Sequence, residues 1–197
     1  MSKGDVTRIR ILDECGRQAA ARGLEGVSLS EVATAVGLSK SGLLKHFESK
    51  ESMQLAALGQ AMDHFSEFVW MQALAVPRGR PRLEKVFERW ILWADVECAE
   101  TGCLIRAAST ELDDRPGALR DYLRGRLQAW YDKLTAEMRL LRNPPLKEEE
   151  ARRAVFQMRS FILGHGEARR LLEDTGAKRA AREAFAGLLD RTASVVH

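Results

Sequence analysis

The sequence predicts an all-α protein of about nine helices, on three observations. Apolar residues recur at helical spacing along the chain, and no run alternates in the manner of a strand. Glycine and proline break that pattern at Gly23, Gly37, Pro77 to Pro81, Gly102, Asn143-Pro144-Pro145 and Thr175-Gly176. The stretch Val27 to Ala56, VSLSEVATAVGLSKSGLLKHFESKESMQLA, joins two short helical patterns at one glycine, the second pattern small, hydroxylated and basic.

The first helix is expected from about Val6 to Arg22, with Ile9, Leu12, Ala19 and Ala20 inward and Gly23 as its stop. Ser28 followed by Glu31 reads as a capping box opening the second helix, whose stripe is Val32, Ala33 and Val36. Gly37 ends it, since glycine takes the left-handed conformation without steric cost. Ser39 caps a short third helix, roughly Lys40 to His46, with Leu43 and Phe47 inward and Lys40, Ser41, Lys45 and His46 outward. Ser49 caps a long fourth helix reaching about Leu74, with Leu55, Leu58, Met62, Phe65 and Val69 as its stripe.

After the Pro77–Pro81 loop, a fifth helix spans about Arg82 to Ala99, carrying Leu83, Val86, Phe87, Trp90 and Ala94 on one side. A short helix covers Leu104 to Glu111. Pro116 suits the first turn of the next, which runs to about Leu141 with Leu119, Leu123, Leu127, Trp130 and Leu134. Two last helices, about Lys147 to Glu173 and Ala177 to Val195, complete the chain.

Bulk properties narrow the function classes. The net charge of +3, from 31 Lys+Arg against 28 Asp+Glu, excludes a molecule that binds polyanions over its whole surface, so a nucleic-acid footprint must come from local clustering. Cys15, Cys98 and Cys103 have no metal-ligand spacing, and their odd number argues against a disulfide framework, as expected in a reducing cytosol. No apolar run reaches membrane-spanning length and no signal region opens the chain, so a soluble cytoplasmic protein is expected. Hydrolase elbows, P-loops, HExxH and dinucleotide glycine motifs are lacking, so no catalytic residue, metal ligand or cofactor is assigned.

Two short helices meeting at Gly37 form a helix-turn-helix pattern, which places its second helix in the major groove. The motifs Thr7-Arg8-x-Arg10-Ile11-Leu12-Asp13, Gly23-Leu24-Glu25-Gly26-Val27-Ser28 and Ser39-Lys40-Ser41-Gly42-Leu43-Leu44-Lys45-His46-Phe47-x-Ser49-Lys50-Glu51 resemble the DNA-binding domain of TetR-family transcriptional repressors. The resemblance covers about the first third of the chain. It implies a DNA-binding domain over residues 1–50 and a helical ligand-binding and dimerisation domain over 51–197. It further implies a homodimer on a palindromic duplex operator, released by a small-molecule inducer.

On the recognition helix, Lys40 and Ser41 are the candidates for base edges, while Ser28, Ser30, Ser39, Lys45, His46 and Lys50 suit phosphates. Leu44 lies among them where the family usually carries a phosphate-contacting tyrosine. It cannot donate that hydrogen bond, which shifts the phosphate grip to Lys45, His46 and Lys50. For the inducer pocket, bulky groups with a few polar handles are offered by Met62, Phe65, Trp90, Trp130, Met158, Phe161 and His165, with Arg106 as an anchor for an acidic ligand. The family dimerises through its last two helices, which points to Phe156, Ile162, Ala180, Ala184, Phe185, Leu188 and Leu189.

Some features have a second reading. Pro77-Arg78-Gly79-Arg80-Pro81 matches an AT-hook core but equally an interhelical loop, which is preferred. Cys98 and Cys103 are conceivable as a redox-sensing pair, and His64 with His165 as metal ligands only if the fold unites them. The alternative functions are a regulator controlled by a protein partner or thiol redox state, and an enzyme using Asp113 and Asp114.

Overall fold

Ser2 sets the first helix. In the computed structural model, which describes residues 2–194, the Ser2 hydroxyl accepts from the Asp5 amide at 3.1 Å and the Asp5 carboxylate accepts from the Ser2 amide at 2.8 Å. This reciprocal cap starts α1 (Lys3–Arg22) three residues before the expected Val6. The buried stripe of α1 is Ile11, Leu12, Cys15, Gln18 and Ala19. Ile9, expected inward, is 41% exposed and Ala20 is half-buried. At ~100° per residue both lie roughly a third of a turn from the centre of that stripe. Burial pushes the Cys15 thiol up to about 12.

Beyond α1 come α2 (Leu29–Ala35) and α3 (Lys40–Leu44). α2 closes in a Schellman arrangement: the Leu38 amide bonds Ala33 O at 2.8 Å and the Gly37 amide bonds Thr34 O at 3.1 Å. Gly37 takes φ 75° there, which an L side chain adopts only at a cost. α4 (Lys50–Phe65) begins where Ser49 Oγ accepts from the Ser52 amide, and it runs on into a π-helical segment, Ser66–Met71. Leu58, Met62, Phe65 and Val69 are buried as expected; Leu55 is half-buried.

The fifth helix, α5 (Arg80–Leu92), begins two residues earlier than expected, with Pro81 in its first turn, and continues as a π-helical turn, Trp93–Glu97. α6 (Leu104–Glu111) matches its sequence bounds. Pro116 stands before α7 (Ala118–Met138) rather than within it, and α7 ends in the 3-10 turn Arg139–Leu141. α8 (Glu148–Arg170) and α9 (Ala177–Ala193) follow. Val195, the expected end of the last helix, lies outside the described residues. These are nine α-helices among the described residues, none long and apolar enough to cross a membrane.

The chain divides into two compact units. One holds the described residues up to Phe65 together with Cys98–Arg126; the other holds Ser66–Glu97 and the described residues from Leu127 onward. In the first, α1 packs on α4 and α6, and α2 on α3. α4 and α6 bury the apolar face of α1, which groups these three helices. In the second, α5 packs on α8, and α8 on α9. Phe87 stacks on Phe185 at 4.1 Å between centroids.

Glu137, 3% exposed, holds the loop before α5 and the first turn of that helix. Its carboxylate accepts from Arg78 Nε at 2.9 Å, the Gly79 amide at 2.8 Å and Arg82 Nη1 at 3.2 Å. Of the Pro77–Pro81 segment only Pro77 to Gly79 is loop, with Arg78 and Gly79 held by Glu137, while Arg80 and Pro81 open α5.

Candidate nucleic-acid interface

A recognition surface needs a helix held rigidly from behind, with side chains in front. The rear of α3 is apolar: Leu43 is fully buried and Phe47 nearly so, while Leu38 is half-buried in the turn. Its start is capped by Ser39, whose hydroxyl accepts from the Gly42 amide at 3.0 Å and lies 3.0 Å from the Ser41 hydroxyl. The front is the exposed set Lys40, Ser41, Leu44 and Lys45.

Two arginines of α1 complete the support. Arg8 Nη1 donates to His46 O at 2.6 Å, and the same guanidinium lies 4.1 Å from the Phe47 ring centroid. Arg10 Nη2 donates to Val36 O at 3.2 Å. Both fall in the motif that opens the chain, yet neither is among the site residues expected from the sequence. Their partners lie 38 and 26 residues away, so helical spacing gives no sign of the contact.

The remaining sequence candidates divide by environment. Ser30 is exposed on α2. Ser28 is half-buried and caps α2, accepting from the Glu31 amide at 3.4 Å. The second arm of the expected capping box is replaced, since the Glu31 carboxylate pairs with Arg22 at 2.6 Å. His46 is half-buried, its carbonyl held by Arg8. Lys50 departs most from expectation: half-buried, it directs Nζ to Glu25 O at 2.7 Å. One of its donors thus holds the connection between α1 and α2.

That connection is also held from α6. The Glu111 carboxylate accepts from the Leu24 amide at 2.5 Å and the Glu25 amide at 2.8 Å, while Arg115 pairs with Glu25. Gln54 Nε2 donates to Leu24 O at 2.6 Å. A cleft of about 320 Å³ lies against this clamp, lined by Lys50, Gln54, Glu111, Arg115 and Leu119 among others. None of the residues proposed for an inducer lines it.

Those residues fall in both units. In the first, Met62 and Phe65 are buried on α4 and Arg106 is exposed on α6. In the second, the Trp130 ring meets Trp90 at 5.5 Å and Trp70 at 5.8 Å, both edge to face. Met158 is buried and Phe161 half-buried on α8. His165 is buried, with Nε2 donating to Asp95 at 2.8 Å. Asp95 also accepts from Lys178 Nζ at 3.1 Å and pairs with Arg169 at 3.0 Å. Burial by itself raises the Asp95 pKa, but the hydrogen bonds from His165 and Lys178, with their charges, bring it below the ordinary aspartate value. Among the described residues no group of three His, Cys, Asp or Glu side chains is placed to hold a metal.

Burial divides the dimer candidates. Ile162, Phe185, Leu188 and Leu189 are all 5% exposed or less, inside their own unit. Phe156, at 65%, and Ala180 are exposed, and Ala184 is half-buried. α8 and α9 carry more apolar surface than one stripe, and sequence spacing does not say which stripe faces inward. All three cysteines are thiols: Cys15 and Cys98 are buried, and Cys103 stands half-buried at the N-cap of α6. Asp113 and Asp114 are exposed in the turn after α6.

Comparison with known proteins agrees with this architecture. Residues 11–57 match the family model described as bacterial regulatory proteins, tetR family, and residues 79–185 match the tetracyclin repressor-like C-terminal domain. No curated protein sequence matches. Among solved structures, a TetR transcriptional regulator from Chloroflexus aurantiacus is similar at 23% identity and a TM-score of 0.81, with 96% of each chain covered. A TetR-family regulator from Streptomyces coelicolor is similar at 17% identity and 0.84, covering 96% of this chain and 97% of its own. AibR, solved with isovaleryl coenzyme A and operator DNA, is similar at 20% identity and 0.69, covering 94% and 97%.

Proposed function

Since the chain belongs to the TetR family of transcriptional regulators, we propose that it is a homodimeric repressor that grips a palindromic operator through α3 and releases it when a small molecule binds. The observation that carries this reading is the construction of α3. Leu43 and Phe47 anchor it from behind, Arg8 holds its end, and Lys40, Ser41, Leu44 and Lys45 stand in front. Lys40 and Ser41 take the base edges. Lys45, with the hydroxyls of Ser30 and Ser39, takes phosphates, which position the domain without reading sequence.

Two copies are needed, because a five-residue helix reads too few base pairs to be selective alone and a two-fold protein matches a palindrome. On α8, Phe156 and Leu163 are both exposed and seven residues apart, so they share one outward stripe. With Ala180 of α9 they form the contact with the second copy. The inducer contacts Trp90, Trp130, Met158, Phe161 and His165, and Met62, Phe65 and Arg106 remain candidates. The regulator crystallised with both isovaleryl coenzyme A and operator DNA supports a ligand-responsive reading at the level of the family. The coupling required is only ~1–3 kcal/mol.

The test is selection of bound duplex from a random pool at two salt concentrations. An enriched palindrome with a steep salt slope supports a dimeric, sequence-specific regulator and supplies the operator for ligand screens. No enrichment, with weak binding at both salts, overturns the reading of α3.

A further inference from the structure

On the front of α3 one side chain does not fit a surface built for phosphates. Leu44 is 39% exposed. At ~100° per residue it lies roughly 40° round from Lys40, between Lys40 and Ser41. Every other outward residue of this face is polar: Lys40, Ser41 and Lys45. Leu44 is not required by the interior, because Leu43 and Phe47 already fill the inward side. A single exposed leucine elsewhere needs no explanation, but this one is flanked on the helix by the two residues that reach base edges. The apolar group a major groove presents at its base edges is the thymine 5-methyl, and the other groups there are hydrogen-bond donors and acceptors.

We propose that Leu44 is a specificity-determining residue that reads a thymine through its 5-methyl group, beside the base read by Lys40 and Ser41. This rests on the reading of α3 as the DNA-recognition helix. Contact between the leucine methyls and the thymine methyl removes apolar surface from water on both sides. One buried methyl-sized group is worth ~0.8 kcal/mol, about fourfold in affinity. A leucine at this place thus exchanges a sequence-independent contact for a sequence-dependent one.

The experiment uses the full chain and the operator recovered from the random pool. Each thymine of a half-site is replaced in turn by deoxyuridine, which lacks only the 5-methyl. Affinity is then measured for the wild type, Leu44→Ala and Leu44→Met, with helicity checked by circular dichroism. The wild type is expected to lose about fourfold at one thymine per half-site. Leu44→Ala should be indifferent to that replacement, while Leu44→Met, still apolar, keeps the sensitivity. The proposal is overturned if no deoxyuridine position weakens the wild type, if Leu44→Ala loses as much as the wild type does, or if the operator half-site has no thymine. An operator that binds tightly but is indifferent to deoxyuridine removes this inference alone. A pool that yields no operator removes the reading of α3 and this inference with it.

Discussion

The Leu24 amide donates to the Glu111 carboxylate at 2.5 Å, across 87 residues of sequence. The neighbouring Glu25 amide takes the other carboxylate oxygen at 2.8 Å, while Gln54 and Lys50 take the carbonyls of Leu24 and Glu25. The two peptide groups after α1 are thus held on both edges. Gly23 leaves room for this: a Cβ there would stand 2.7 Å from Glu111 Oε2. Glu111→Ala deprives two amides of a charged acceptor and should cost about 2–3 kcal/mol. A lowered urea midpoint at unchanged slope checks this. Glu111→Gln, keeping one good acceptor, should fall between.

Glu137 should be costlier. Its carboxylate is 3% exposed and Arg82 is 13% exposed, so Glu137→Ala leaves a guanidinium nearly buried without its counter-charge. A loss of about 3–5 kcal/mol is expected. Arg78→Ala removes a partner that is 57% exposed and should cost less than about 1 kcal/mol. Equal effects from the two variants in chemical denaturation would contradict the placement of Glu137 as the organiser of this loop.

Asp95 should report on pH. Its folded pKa lies below the ordinary value of 3.8, because hydrogen bonds from His165 and Lys178 outweigh burial. A carboxylate depressed on folding contributes stability that is fully present above its unfolded pKa and lost as pH falls through the folded one. Asp95→Asn should therefore be less stable than the wild type at neutral pH, with the gap closing as pH drops below 3.8. Glu14, lowered chiefly by Arg17, adds a similar acid loss to both proteins and cancels in the comparison. Urea midpoints of the two proteins across that range are the measurement.

Three lysines near α3 should behave differently. Lys40→Ala should cost ~1–3 kcal/mol on the selected operator and relax preference at one base. Lys45→Ala should weaken all duplexes alike and reduce the salt slope by about one. Lys50→Ala should act mainly on stability, by about 1 kcal/mol, through the lost contact with Glu25 O. Salt titrations of binding, set beside denaturation curves, separate the three.

The sequence by itself determined the helices, the turn and the family. Caps such as Ser39 and Ser49, the left-handed Gly37 and the Asn143-Pro144-Pro145 break act within a few residues, and local chemistry is what sequence spacing records. On α3 the outward placing of Lys40, Ser41 and Lys45 was legible for the same reason, whereas His46 is half-buried and Leu44 stands outward in its place. Only the tertiary structure decided what lies beyond local reach. It set Lys50 Nζ against Glu25 O, drew Arg8 and Arg10 onto the helix-turn-helix, and sent Ile162, Phe185, Leu188 and Leu189 inward while leaving Phe156 outside. It also paired Glu111 with Leu24 and His165 with Asp95. Periodicity tells how wide an apolar face is and not which neighbour covers it, and a charged side chain is committed only when a distant backbone comes within hydrogen-bond range.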